Sequence, residues 1–96
     1  MYVNSNDTGT SSGSNSSTTL NDTTKNWATD IFQNKAVIIT GGTGAGQIRK
    51  ISSNTSNQLT VSMDWTTIPD DTSTYRIVDE AYRALYNQGF ACREGA

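Results

Sequence analysis

The chain has 96 residues, a formal net charge of −2 and a pI near 4.7, which fits one small domain without the basic excess of a phosphate-binding nucleic-acid protein. Thr, Ser and Asn supply 15, 11 and 9 residues, hydrophobic residues only 33% and charged residues only 17%, a balance that fits a β-rich protein with polar turns rather than a disordered chain. With no His and one cysteine, Cys92, the sequence excludes a His-based triad, the commonest metal sites, a disulfide framework and a thiolate zinc cluster. The longest apolar run, Ala36-Val37-Ile38-Ile39, is too short to span a membrane, and the opening Met1-Tyr2-Val3-Asn4-Ser5 does not read as a secretory leader.

Residues 4–19 are almost wholly Asn, Ser, Thr, Gly and Asp and read as a flexible polar arm, with a strand beginning at Thr18-Thr19-Leu20. Residues 21–26 carry turn chemistry. A short helical turn is expected over 27–32, placing Trp27, Ile31 and Phe32 on one face, with Asn34 at its end. Residues 35–40 form the clearest strand, β-branched and followed by a glycine cluster. Residues 47–52 read as a second strand of mixed pattern. Gln47, Arg49 and Ile51 would share one face and Ile48 and Lys50 the other, which implies a strand covered on both faces or a bulge. Arg49 and Lys50 also suggest an exposed basic face. Residues 58–63 alternate cleanly, with Leu59, Val61 and Met63 on the apolar side. A loop with the only proline, Pro69, leads to a last strand over 74–78. Residues 79–89 have an acidic start, good helix formers and a terminal Gly89, consistent with a short helix whose apolar face is Ala81, Tyr82, Leu85 and Tyr86.

The expected architecture is therefore mainly β, a small antiparallel sandwich or barrel over 18–78. A polar arm over 1–17 and a C-terminal helix or tail over 79–96 would flank it. The apolar side chains suffice for one thin core, so the chain ends are expected to gain stability from other subunits.

The motifs that draw attention have structural readings. Gly41-Gly42-Thr43-Gly44-Ala45-Gly46 lacks both the dinucleotide glycine spacing and the Lys-Ser/Thr of a phosphate loop, and a strand follows it. It reads as a hairpin loop whose glycines supply positive φ. Asp70-Asp71 beside Pro69 has no calcium-loop series and reads as a turn. The sequons at Asn6, Asn15, Asn21 and Asn54 are close to what this composition gives by chance. A weak echo links Leu20…Trp27 with Leu59…Trp65, each a tryptophan after a strand and turn. No cofactor or metal is implied, and no catalytic residue is expected.

Four stretches carry a resemblance. They are Thr19-Leu20-x-Asp22-Thr23-Thr24-Lys25-Asn26-Trp27; Val37-x-Ile39-Thr40-x-Gly42-Thr43-Gly44-Ala45-Gly46-Gln47-x-Arg49-x-Ile51; Leu59-Thr60-Val61-x-x-x-Trp65; and Pro69-Asp70-x-Thr72-Ser73-x-Tyr75. Together they resemble a small β-domain of tailed-bacteriophage virion proteins. The resemblance implies a non-enzymatic virion structural protein made in the host bacterial cytoplasm. The first expectation is a capsid decoration (cement) protein on the capsid surface, bridging major capsid protein subunits and self-associating within the particle, with no nucleic acid or membrane partner. The alternatives are a tail, baseplate, fibre or head-tail connector component, and a carbohydrate or host-surface binding module. Candidate interface anchors are Tyr2, Val3, Tyr82, Leu85, Tyr86 and Phe90, acting with strand addition.

Overall fold

The computed structural model describes residues 5–81. Six strands form one antiparallel sheet: β1 (Ser5–Thr10), β2 (Thr19–Asn21), β3 (Lys35–Gly41), β4 (Ile48–Asn54), β5 (Gln58–Val61) and β6 (Thr74–Ala81). Their order is β1-β6-β3-β4-β5-β2, and the sheet curls into a half-barrel. The mainly β, antiparallel expectation holds.

The inner face carries the main core. Leu20, Val37, Ile39, Ile51, Leu59, Val61, Tyr75 and Ile77 are buried together with Phe32 and Trp65 from the connections. Each fully buried aliphatic side chain contributes about 1.5–3 kcal/mol. The two halves of the sequence echo meet here, because Leu20 pairs directly with Leu59 across β2 and β5. β3 is apolar on both sides. Val37 and Ile39 face the core, while Ala36 joins Ile48 and Val78 in a second buried cluster flanked by Ile38. The mixed pattern of β4 has the same origin. Ile48 belongs to the second cluster, Ile51 to the first, and the register with β5 shifts between Ile51 and Ser53.

Several expectations change. Residues 5–17 are not a free arm. Ser5–Thr10 is the edge strand β1, paired with β6 from Ser5↔Val78 to Thr10↔Thr74, and Ser11 and Ser12 donate backbone hydrogen bonds to Ser73 and Asn21. The limits 18 and 78 are likewise passed at both ends, since β6 runs on to Ala81. The remainder of the expected C-terminal helix lies outside the described residues.

Residues 27–34 are successive tight turns rather than a helical face. Ile31, Gln33 and Lys35 N–H groups bond to carbonyls three residues back, with left-handed φ at Asp30 (57°) and Asn34 (70°). Phe32 therefore points inward while Ile31 is 54% exposed. β5 stops at Val61, where the chain turns away and Trp65 takes the next core position, so Met63 is exposed. Arg49, expected on an exposed basic face, is buried over Trp65, whereas Lys50 is exposed.

Candidate functional site

The densest chemistry among the described residues lies where β1 meets the β2–β3 connection. The sequence Asp22-Thr23-Thr24 makes a local turn in which Asp22 Oδ1 accepts the Thr24 N–H (3.0 Å) and hydroxyl (2.6 Å). That leaves Oδ2 free to face β6, where the Tyr75 hydroxyl donates to it at 2.5 Å. Both side chains are buried. Burial opposes the Asp22 charge, but the hydrogen bonds from Thr24 and Tyr75 outweigh it and hold the carboxyl below its ordinary range. Burial first, then the Asp22 carboxylate, pushes the Tyr75 phenol far above its ordinary range. Tyr75 therefore remains a protonated donor.

Gly9 of β1 lies against this pair. A Cβ there would sit 2.7 Å from both Asp22 Oδ2 and the Tyr75 hydroxyl. Only a residue without a side chain lets β1 close over the phenol and carboxylate.

One residue pair further along β1, Asp7 forms the second half of the cluster. Its Oδ2 accepts the Trp27 indole N–H at 2.7 Å, and its Oδ1 accepts Lys25 Nζ at 3.1 Å. Lys25 Nζ also donates to the Thr8 carbonyl at 2.7 Å. Burial again works against the Asp7 charge, and the bonds from Trp27, Lys25 and the Thr8 N–H overcome it. The Trp27 ring meets Phe32 and Tyr75 edge-on, at centroid distances of 5.3 and 6.5 Å. Asp7, Lys25, Trp27, Asp22 and Tyr75 thus form a clasp that ties edge strand β1 to the start of the β2–β3 connection. With Asp22 buried and both its oxygens engaged, the arrangement holds backbone together.

The other polar residues do similar work. Gln47 Nε2 donates to the Gly44 and Thr67 carbonyls and its Oε1 accepts the Thr67 N–H. The glycine loop is the β3–β4 hairpin, with φ of 72°, 82° and 97° at Gly42, Gly44 and Gly46. Arg49 donates to the Asp64 carbonyl through Nε and Nη2, and to Thr66. Buried Asn54 braces residues 28–34 through the Ala28 carbonyl and the Phe32 N–H. Asn15 joins the Pro69 carbonyl to the Asn21 N–H. Asp70 holds an exposed turn with Thr72 and Thr43.

The expected anchors Tyr2, Val3, Tyr82, Leu85, Tyr86 and Phe90 lie outside the described residues. The two tryptophans, which a carbohydrate platform would present to solvent, are tied inward: Trp65 is buried with its Nε1 on the Thr19 carbonyl, and Trp27 is half-buried in the clasp. Sequence reading missed the clasp because its members are spread over positions 7, 22, 25, 27 and 75. The one local signal was the Asp-x-Thr turn at Asp22.

No protein-family model, no curated protein and no solved structure matches this chain.

Proposed function

We propose that this chain is a non-enzymatic structural protein of a tailed-phage virion, acting as a capsid decoration protein that bridges major capsid subunits. One observation carries the reading. Many of the residues behind the resemblance to virion β-domains have structural work within the fold. Asp22, Lys25, Trp27 and Tyr75 make the clasp with Asp7; Gln47 and Thr43 fix the hairpin; and the Arg49 guanidinium lies over Trp65. A motif of scaffold residues fits a module whose task is mechanical.

The sheet edges refine how bridging would work. The carbonyl of Thr8 in β1 is occupied by Lys25, and β2 is only three residues long with its Asn21 carbonyl taken by Ser11 and Ser12. Affinity is therefore assigned to the terminal anchors Tyr2, Val3, Tyr82, Leu85, Tyr86 and Phe90, repeated over many copies on a shell, rather than to strand addition at these positions.

Co-sedimentation tests the proposal. Purified protein is mixed with expanded capsids and, separately, with tails. Stoichiometric pelleting with capsids is expected, and loss of pelleting in a truncation ending at Ala81 that still folds would place the contact in the C-terminal segment. Failure to pellet with capsids overturns the decoration reading, and pelleting with tails alone moves the protein to the tail.

A further inference from the structure

We propose that Lys25 and Asp7 guard the outer edge of β1, which no described strand covers, against addition of β1 from a second copy of this chain. The argument starts from the antiparallel ladder. β1 pairs with β6 through Gly9↔Tyr75 and Asp7↔Ile77, and Ser11 N–H bonds to the Ser73 carbonyl in the same phase. In an antiparallel pair, alternate residues direct both backbone groups toward the neighbour and away from it. Thr8 accordingly turns its N–H and C=O away from β6, toward the side of β1 that no described strand covers.

Both of those groups are occupied. The Thr8 N–H donates to Asp7 Oδ1 at 2.9 Å, and the Thr8 C=O accepts from Lys25 Nζ at 2.7 Å. Lys25 is held over the edge by its ion pair with Asp7, and Asp7 is held by the Trp27 indole. A lysine laid across an edge strand is a recognised way for a sheet to avoid pairing with another chain.

The occupant the guard excludes follows from the sequence of β1. Two copies of SNDTGT paired antiparallel about Thr8 exchange the Thr8 N–H and C=O, the same two groups the guard takes. That register sets Asp7 of each copy opposite Gly9 of the other, so the two carboxylates are not opposed and no bulky side chain faces them. From Asp7 to Thr10, where the register with β6 runs unbroken after a shift between Ser5 and Asp7, β1 is thus suited to self-pairing at Thr8, and the guard stands against it. This inference stands apart from the virion reading and holds whatever the protein assembles with.

Sedimentation velocity over a concentration series tests it. The wild-type chain is compared with K25M, which keeps most of the stem and removes the ammonium, and with D7N, which removes the anchor charge. Each variant is expected to self-associate at least about tenfold more tightly than wild type, with the Thr8 amide gaining hydrogen-exchange protection. K25R retains the donor and is expected to behave as wild type. T8P added to K25M removes the N–H needed for pairing at an edge position that tolerates proline, and restores wild-type behaviour. If K25M fails to fold, D7N carries the test. A folded K25M or D7N that associates no more than wild type overturns the proposal, as does association of K25M that survives T8P.

Discussion

Asp22-Thr23-Thr24 and Asp70-Asp71-Thr72 place the same local device in two settings. In each, the aspartate Oδ1 accepts the N–H and hydroxyl of the threonine two residues on, at 3.0 and 2.6 Å for Thr24 and at 2.9 and 2.5 Å for Thr72. In each, Oδ2 accepts a hydroxyl from a distant residue, Tyr75 in the first and Thr43 in the second. The difference is water. Asp22 is buried beneath Gly9 and Tyr75, whereas Asp70 is exposed. Identical hydrogen bonds matter far more where no solvent can replace them.

That contrast is open to direct attack. The largest effect is expected from D22A, which strands the Tyr75 hydroxyl and the Thr24 groups. Urea unfolding should show a loss of about 3 kcal/mol, and a loss below about 1 kcal/mol would mean that water enters the clasp. Next comes G9A, whose Cβ must displace either the carboxylate or the phenol. About 2 kcal/mol of destabilisation is expected, with little further loss when Y75F is added, since the two changes disturb one contact.

Acid should act through the same groups. Asp7 and Asp22 have lowered folded-state pKa values, because hydrogen bonds from Trp27, Lys25, Thr24 and Tyr75 outweigh burial. Their contribution is complete above the unfolded carboxylate range. It is lost as pH falls through that range toward the folded values, because the unfolded chain takes up its protons first. The urea midpoint should therefore fall between about pH 5 and about pH 2, and a D7N/D22N double variant should show a flatter profile over that window. The smallest effect belongs to D70A. Its unfolding midpoint should stay close to wild type, while the Thr72 amide, which bonds to Asp70 Oδ1, exchanges faster by NMR. A large stability loss in D70A would erase the distinction between the two turns.

The two faces of the sheet show where sequence reading reaches and where it stops. β3 and β5 were legible because β-branched and alternating residues stand in a row, and β6 because Tyr75 and Ile77 alternate with polar residues. The glycine hairpin was legible from its composition, and its three positive-φ glycines bear that reading out. β1 was not legible. Its residues, SNDTGT, include no apolar side chain, so no period-two signal exists. Its inner face is Asp7 and Gly9 because Trp27 and Tyr75, from other elements, already fill that part of the interior. Ile31 and Met63 failed for a related reason. Spacing put them on an apolar face, but left-handed turns at Asp30 and Asn34 and the early end of β5 gave those places to Phe32 and Trp65.

The abundance of Thr, Ser and Asn, by itself, determined that the chain would be mainly β with polar turns and a small core, because few large apolar residues are available to bury. The segments of β3, β5 and β6 followed from local residue pattern. Which polar residues would be structural was decided only by the tertiary fold. Asp22, Asn54, Gln47 and Arg49 are buried and hydrogen-bonded, while Asp70 and Lys50 stay in water, although nothing in their local sequence separates the two groups. The physical reason is that a polar side chain's role depends on whether a distant strand or loop excludes water from it, and residue spacing along the chain carries no record of that.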